Sequence, residues 1–357
     1  MKEYNFENFC LVKSSKRIFA NQYTNAGIPF YRGKEITLLS MGQSIYDLLY
    51  ISEQAFQQVK TNGMPENNDI LITAVGTIGS IWLVDTNTPF YFKDGNIIWL
   101  SKINQNIVLP KYLKYAMISS RFQKKIEEVS IGSNQKALTI DSVKKLQISF
   151  PKIETQQHIV DILGSIDAKI ENNEKIISNV LKLYRLKFRN LAMKYEQKSV
   201  LSYIASVESG KRPLHKSAAL DGSFNIPIIG ASSIMGYTDD YLFNEPILVI
   251  GRVGTLGVVQ SIFGKSYPSD NALIIRSKYY TFCYCALNEL DYNSLNKGST
   301  QPLITQTDIK NIQIPLIPQS EMQQFEMHNK IDIIVALKEE NNMLRELKAL
   351  YLKKFFE

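Results

Sequence analysis

Few residues in this chain have the types and spacing that catalysis needs. His158, His215 and His328, like Cys10, Cys283 and Cys285, are scattered too widely to form a metal-ligand set. Asn87-Thr88-Pro89-Phe90 approaches the Asn-Pro-Pro-aromatic element of a methyltransferase, but it lacks the first proline and has no cofactor-binding glycine loop before it. Gly264-Lys265-Ser266 ends like a phosphate-binding loop, yet Val259 stands where that loop needs glycine. Gly251 to Gly257 is spaced unlike a dinucleotide fingerprint. The expectation is a chain without a catalytic centre, a bound cofactor or a metal. With its thiols this scattered and no signal pattern between Met1 and Cys10, it is expected in the reduced cytoplasm.

A different pattern is abundant. The run from Asp69 to Gly79, an apolar strand entering a glycine-pinned turn, is echoed from Pro246 to Gly257. Gly132-Ser133-Asn134-Gln135 is echoed by Gly298-Ser299-Thr300-Gln301. Each copy continues into a short apolar strand and a proline, then a glutamine pair, Gln156-Gln157 or Gln323-Gln324. A long helical stretch follows in both, carrying Asn172-Asn173 and Asn341-Asn342. The chain is therefore two copies of one plan.

The elements that hold these segments follow from periodicity. Between Gln156 and Lys194 apolar residues recur in steps of three and four through Ile159, Leu163, Ile166, Ile170, Ile177, Val180 and Tyr184. The stretch from Ser320 to the C-terminus does the same with Ile334, Leu337, Leu344, Tyr351 and Phe355. These are helices with coiled-coil seams. Asn173 and Asn341 fall on seam spacing near the helix centres, where antiparallel packing would pair them; the alternative leaves both solvated on slightly rotated helices. The basic end of the first helix, Lys182 to Lys194, reads as a solvated face or as a contact for DNA or a partner. The remaining segments are rich in Ile, Val, Tyr and Phe broken by Gly, Asn and Pro, which predicts mixed modules with much sheet. The organisation expected for these 357 residues is α+β: modules over 1–151 and 199–317, each followed by a long helix, over 152–198 and 318–357. A net charge of +7 favours an anionic partner, and no apolar run is long enough to span a bilayer.

The duplicated order of Gly-Ser-x-Gln, proline-ended strand, glutamine pair and long helix resembles the specificity subunits of type I restriction-modification systems. Ile28-Pro29-Phe30-Tyr31-Arg32-Gly33 looks like the opening of a target-recognition domain of that family, with Ile226 to Ile234 as its counterpart. The resemblance implies that each module reads one half of a split, asymmetric double-stranded DNA site. It implies that the two helices pack antiparallel as a spacer and dock two methyltransferase subunits, to which restriction and translocase subunits add. S-adenosylmethionine, ATP and magnesium would belong to those partners. A helix of about 40 residues is roughly 60 Å long at about 1.5 Å per residue. That length suits two readers about a DNA turn apart, of order 34–36 Å.

Within that implication, residues that read bases should differ between the copies, whereas those that position the phosphates can be shared. Shared polar positions are Thr77 with Thr255, Ser133 with Ser299 and Gln135 with Gln301, candidates for phosphate contact or plain turn bonds. Differing positions are Arg32 against Gly230, Lys34 against Ser232, Ala74 against Arg252, and Lys136 against Pro302. Arg32 and Arg252 are the base-reading candidates, because a guanidinium clasps guanine through two acceptors. Tyr31 is expected to support Arg32, to contact the sugar-phosphate backbone or to pack in a sheet, and Lys211 and Arg212 to meet phosphate or solvent. Two other classes remain: a coiled-coil scaffold that does not read DNA, and the detached recognition part of a fused restriction-methylation enzyme.

Overall fold

A computed structural model of the chain describes residues 2–42, 45, 48–130, 137–217, 223–253, 256–295 and 303–357. It divides into two units, Met1–Ile170 with Met343–Glu357, and Glu171–Asn342. Each unit holds one module and part of both long helices.

In the first unit an antiparallel sheet runs in the order Leu11–Lys13, Ile97–Ser101, Ile70–Thr73, Ile81–Leu83. A second sheet orders Tyr23–Thr24, Leu49–Ile51, Ile28–Tyr31 and Tyr91–Phe92, the last two parallel. The second unit repeats the first sheet as Ser206–Ser209, Ala272–Arg276, Ile247–Gly251, Val259–Ile262. Its other sheet orders Ile234–Thr238, Ile226–Ile229, Lys265–Pro268, Phe243–Asn244, with its one parallel pair in the middle rather than at the edge.

The unbroken apolar strands are explained by burial on both faces. Ile70 and Ile72 join the core under the helices with Tyr115 and Leu163, while Leu71 points the other way into a cluster with Trp82, Phe92 and Trp99. Leu248 and Ile250, against Ile247 and Val249, divide in the same manner. Each such side chain contributes roughly 1.5–3 kcal/mol by leaving water. A short ladder then closes each module: Lys2–Asn5 on Gln147–Phe150, and Lys198–Val200 on Gln313–Pro315.

The first long helix is Ile153–Ala192, 40 residues without interruption. In the first unit its Ile159 and Leu163 share a core with Tyr351, Leu352, Phe355 and Phe356 of the C-terminal helix, Asp332–Phe356. In the second unit Asn173 faces Asn341, and the Tyr184 hydroxyl donates to the Lys330 carbonyl at 3.0 Å. Residue numbers rise along one helix as they fall along the other, so the pair is antiparallel there.

Asn173 and Asn341 are both buried, 0% and 2% exposed. The Asn173 amide donates to Asn341 Oδ1 at 2.9 Å and to Glu340 Oε2 at 2.7 Å, while Asn173 Oδ1 has no hydrogen-bond partner among the described residues. A single polar pair in an apolar seam specifies register. Asn173→Leu is expected to cost about 1–3 kcal/mol in thermal or urea unfolding, because it strands the acceptors opposite. Changing both asparagines to leucine should restore stability but admit several registers, visible as multiple products of cysteine cross-linking. A single register in the double variant would show that the pair does not set it.

The second helical stretch is not continuous, contrary to its periodicity. Gln319–His328 ends at Asn329, and a new helix begins at Asp332. Asn329 takes a non-helical backbone (φ −125°, ψ 54°), and its amide donates back to the Phe325 carbonyl at 2.8 Å. Lys187 Nζ donates to its Oδ1 at 3.0 Å and Thr281 Oγ1 to its carbonyl at 3.0 Å. A buried asparagine that competes for helix carbonyls while held by two neighbours breaks the ladder.

Candidate nucleic-acid interface

Among the described residues, the repeated strand ends and turns at 73–79 and at 251–253 with 256–257 lie at one end of each first sheet. In the first unit the strand Ile70–Thr73 runs into the turn at Gly76–Gly79. The Thr73 hydroxyl pins this turn by donating to the Thr77 carbonyl and accepting from Ser80 N at 2.9 Å. Gly79 sits at φ +83°, with Gln123 Oε1 only 2.7 Å from where a Cβ would stand. A side chain there meets both strain and a clash. Gly257, in the second unit, has φ +81°.

The repeat pairing of Ala74 with Arg252 is reproduced bond for bond. Ala74 N donates to Asn96 O at 2.8 Å and its carbonyl accepts from Leu138 N at 2.9 Å; Arg252 does the same with Asn271 O and Ile304 N, both at 2.9 Å. Tyr31 pairs with Phe92 as Ile229 pairs with Pro268, which sets Arg32 opposite Gly230 in the alignment. One pairing shifts. Thr139 and Thr305 each cap a short helix through equivalent bonds, and counting on from them sets Gln156 against Met322 rather than Gln323. Both of these are buried, one turn ahead of buried Ile159 and Phe325.

At the same sheet ends lies a segment that the repeat motifs do not include. Ser14-Ser15-Lys16-Arg17 leaves the strand Leu11–Lys13 just as Ser209-Gly210-Lys211-Arg212 leaves Ser206–Ser209. In the first copy Ser14 Oγ donates to Ile97 O at 2.8 Å, Ser15 Oγ to Phe92 O at 2.7 Å, and Lys16 N to the Tyr91 hydroxyl at 2.9 Å. In the second, Gly210 N donates to Ala272 O and Lys211 N to Pro268 O, both at 3.0 Å, and the Tyr267 hydroxyl donates to Arg212 O at 3.3 Å. Both loops are thus fixed by backbone while their cations project. Lys16, Arg17, Lys211 and Arg212 are all exposed; Lys16 Nζ donates to Thr61 Oγ1 at 3.2 Å and Arg17 pairs with Asp94 at 3.0 Å, both on the surface. The shared Ser-x-Lys-Arg spelling was the signal available in the sequence.

The remaining candidates have diverse surroundings. Arg32 caps the helix Gly33–Ser40 and forks onto Glu35, Nε to Oε2 at 3.0 Å and an Nη to Oε1 at 2.6 Å. Glu35 is fully buried; burial alone would raise its pKa, but the hydrogen bonds and charge of Arg32 outweigh it and hold the carboxyl below its ordinary value. The guanidinium edge suited to guanine is therefore turned onto Glu35. Tyr31 stacks on Phe90 at 4.8 Å and meets Trp82 edge-on at 5.9 Å, and burial raises its hydroxyl pKa. Lys34 and Ser232 are exposed, and Arg252 is half-buried. Gln260, which no repeat motif singles out, donates to the Gly230 carbonyl at 2.9 Å and braces the turn that carries Ser232. Ser133, Gln135, Lys136, Thr255, Ser299 and Gln301 lie outside the described residues. The bridges Val75 to Ala137 and Val253 to Leu303 bring the ends of their segments to these same turns.

The basic end of the first long helix is engaged within its own unit: Arg185 and Arg189 grip Glu289 at 3.1 and 2.7 Å. Burial pushes the thiols of Cys10 and Cys283 up to about 12, far from a nucleophilic range. Among the described residues no three His, Cys, Asp or Glu side chains are placed to hold a metal, and no helix is long and apolar enough to cross a membrane.

Two α+β modules with matched cationic turns, each attached to a long helix, define a tandem recognition protein. The family of type I restriction modification DNA specificity domains matches residues 1–182 and 194–348, and the chain belongs to it. Among curated relatives, it is 34% identical over 158 residues to a putative type I restriction enzyme specificity subunit, S.HindORF215P, of Haemophilus influenzae. That match takes in 44% of this chain and 37% of the relative. Over 85% of this chain and 79% of the relative, it is 22% identical to the MjaIX specificity subunit of Methanocaldococcus jannaschii. The fold is also that of the type I restriction-modification S subunit from M. genitalium, with a TM-score of 0.55, 16% identity and coverage of 100% of this chain and 96% of that one.

Proposed function

We propose that this chain is the non-catalytic specificity subunit of a type I restriction-modification complex and reads a bipartite, asymmetric DNA target with its two modules. The observation that carries the reading is the duplication at one end of each main sheet: a backbone-fixed Lys-Arg loop is shared, while the matched position beside it is a buried Ala74 in one copy and a half-exposed Arg252 in the other. Shared cations suit phosphates, which are alike in every sequence, and differing side chains suit bases. The helices would dock two methyltransferase subunits, with restriction and translocase subunits added to them. S-adenosylmethionine, ATP and magnesium would then be held by those partners in the cytoplasm.

Methylation mapping on genomic DNA from cells with and without this chain, together with its methyltransferase, tests the reading. A chain-dependent split motif with a fixed gap is expected; an active methyltransferase with no such motif would remove the proposal. Arg252→Ala should relax one base position of one half-site, by about 1–3 kcal/mol of discrimination. A uniform loss at every sequence would reassign Arg252 to phosphate.

A further inference from the structure

The two modules differ at the sheet end away from the Lys-Arg loops. In the first, residues 102–109 link the strand Ile97–Ser101 to the helix Pro110–Ile118 and fill a gap against the long helix. Val108 is fully buried there, and Gln156 clamps the loop by accepting from Leu109 N and donating to Ile107 O, both at 2.9 Å. In the second, only residues 277–279 make the same link between Ala272–Arg276 and Tyr280–Asn288. Met322 stands in the place of Gln156 and cannot clamp a backbone. A cleft of about 860 Å³ opens where the longer loop would lie.

Its lining is one-sided in charge. Arg276, Lys278 and Lys310 contribute cations and no acidic residue lines it. Arg276 is balanced by Glu208 at 3.0 Å and Glu245 at 3.3 Å, but among the described residues no carboxylate pairs with Lys278 or Lys310. Ala205, Ile317 and Met322 add buried apolar surface, and Tyr203 at the mouth is 69% exposed. Arg252 and Lys211 lie at the opposite end of the same sheet, beside Asn271 and Pro268.

We infer that this cleft is a docking site for a short, extended acidic segment of a partner protein, which replaces in the second module the loop that the first module supplies itself. The apolar floor and open length suit a peptide, the lysines suit its carboxylates, and the position away from the Lys-Arg loop separates it from DNA. The inference does not depend on the DNA-reading proposal.

The test uses the full chain and a fluorescein-labelled peptide of sequence ELEDLE, with KLKKLK as control, followed by fluorescence anisotropy. The acidic peptide alone should bind, and Lys278→Glu with Lys310→Glu should weaken it about tenfold or more while leaving DNA affinity unchanged. Ser206→Trp, which obstructs the cleft without altering its charge, should also weaken it. Absence of binding, equal binding by these variants, or a parallel loss of DNA affinity would each overturn the inference, the last by giving the cleft to DNA. A chain that binds the peptide but no DNA would leave this site standing and sink the DNA-reading proposal instead.

Discussion

Arg32→Ala is expected to destabilise the first unit by about 3 kcal/mol, since removing one partner of a buried ion pair leaves a charge without compensation. In a unit of this size that lowers the melting temperature by roughly 10 °C. The pH dependence gives the mechanism. In the intact chain Arg32 holds the Glu35 pKa below its unfolded value, so the pair's stabilisation is present above about pH 4 and is lost as pH falls through the folded pKa. Without the Arg32 side chain, burial is opposed only by the backbone N–H groups of residues 32 and 35, so the Glu35 pKa rises and the stabilisation present at neutral pH shrinks. The deficit of Arg32→Ala should then be largest at neutral pH and shrink on acidification. Glu35→Gln in the Arg32→Ala background should recover more than half of the loss, because a neutral amide is cheaper to bury than a carboxylate. Differential scanning fluorimetry from pH 4 to 8 checks all three; a deficit independent of pH would mean that Arg32 stabilises by packing alone. A loss of DNA binding in Arg32→Ala is therefore not by itself a sign of base contact.

Much of the fold was legible because it was written twice. The seam of Ile159, Leu163, Ile166 and Tyr184 predicted the first helix, and all four residues are buried. The break at Asn329 was not legible, since no proline or glycine follows Pro318 and the seam residues begin only at Ile334. What stops the helix there is a set of partners, Lys187 and Thr281, brought from distant sequence. The same limit explains Gln156. Its spelling suggested a repeated Gln-Gln pair, but the matched caps Thr139 and Thr305 decide equivalence, and counting from them places a glutamine against a methionine.

The candidate interface was legible in part for a related reason. Comparison of the copies exposed Arg252, whose backbone bonds match those of Ala74, and it passed over Lys16 and Arg17, whose match with Lys211 and Arg212 is short and not apolar. Arg32 was chosen for its chemistry; its partner Glu35, three residues on, was equally visible, but its burial came only with the packing of the helix Gly33–Ser40. An arginine beside a carboxylate on one helical turn has to be weighed as an ion pair before it is weighed as a reader.

The Lys-Arg loops give the second large effect. If Lys16, Arg17, Lys211 and Arg212 meet phosphates, changing all four to alanine should weaken DNA binding on the order of a hundredfold at moderate salt, since a phosphate that no cation neutralises keeps its condensed counterions. The slope of log affinity against log salt should become shallower by about 3 to 4. Melting should be almost unchanged, because these loops are held through backbone groups and through the Ser14 and Ser15 hydroxyls, while the Lys16–Thr61 and Arg17–Asp94 contacts are exposed and contribute little. The methylated motif should keep its bases, for a phosphate contact is blind to sequence. Arg252→Ala is the opposite case, with relaxed specificity and a salt slope little changed. Fluorescence anisotropy over a salt series, run beside methylation mapping, separates the two roles. An unaltered salt slope in the fourfold variant would remove these loops from the DNA interface and leave their shared spelling to be explained by backbone geometry alone.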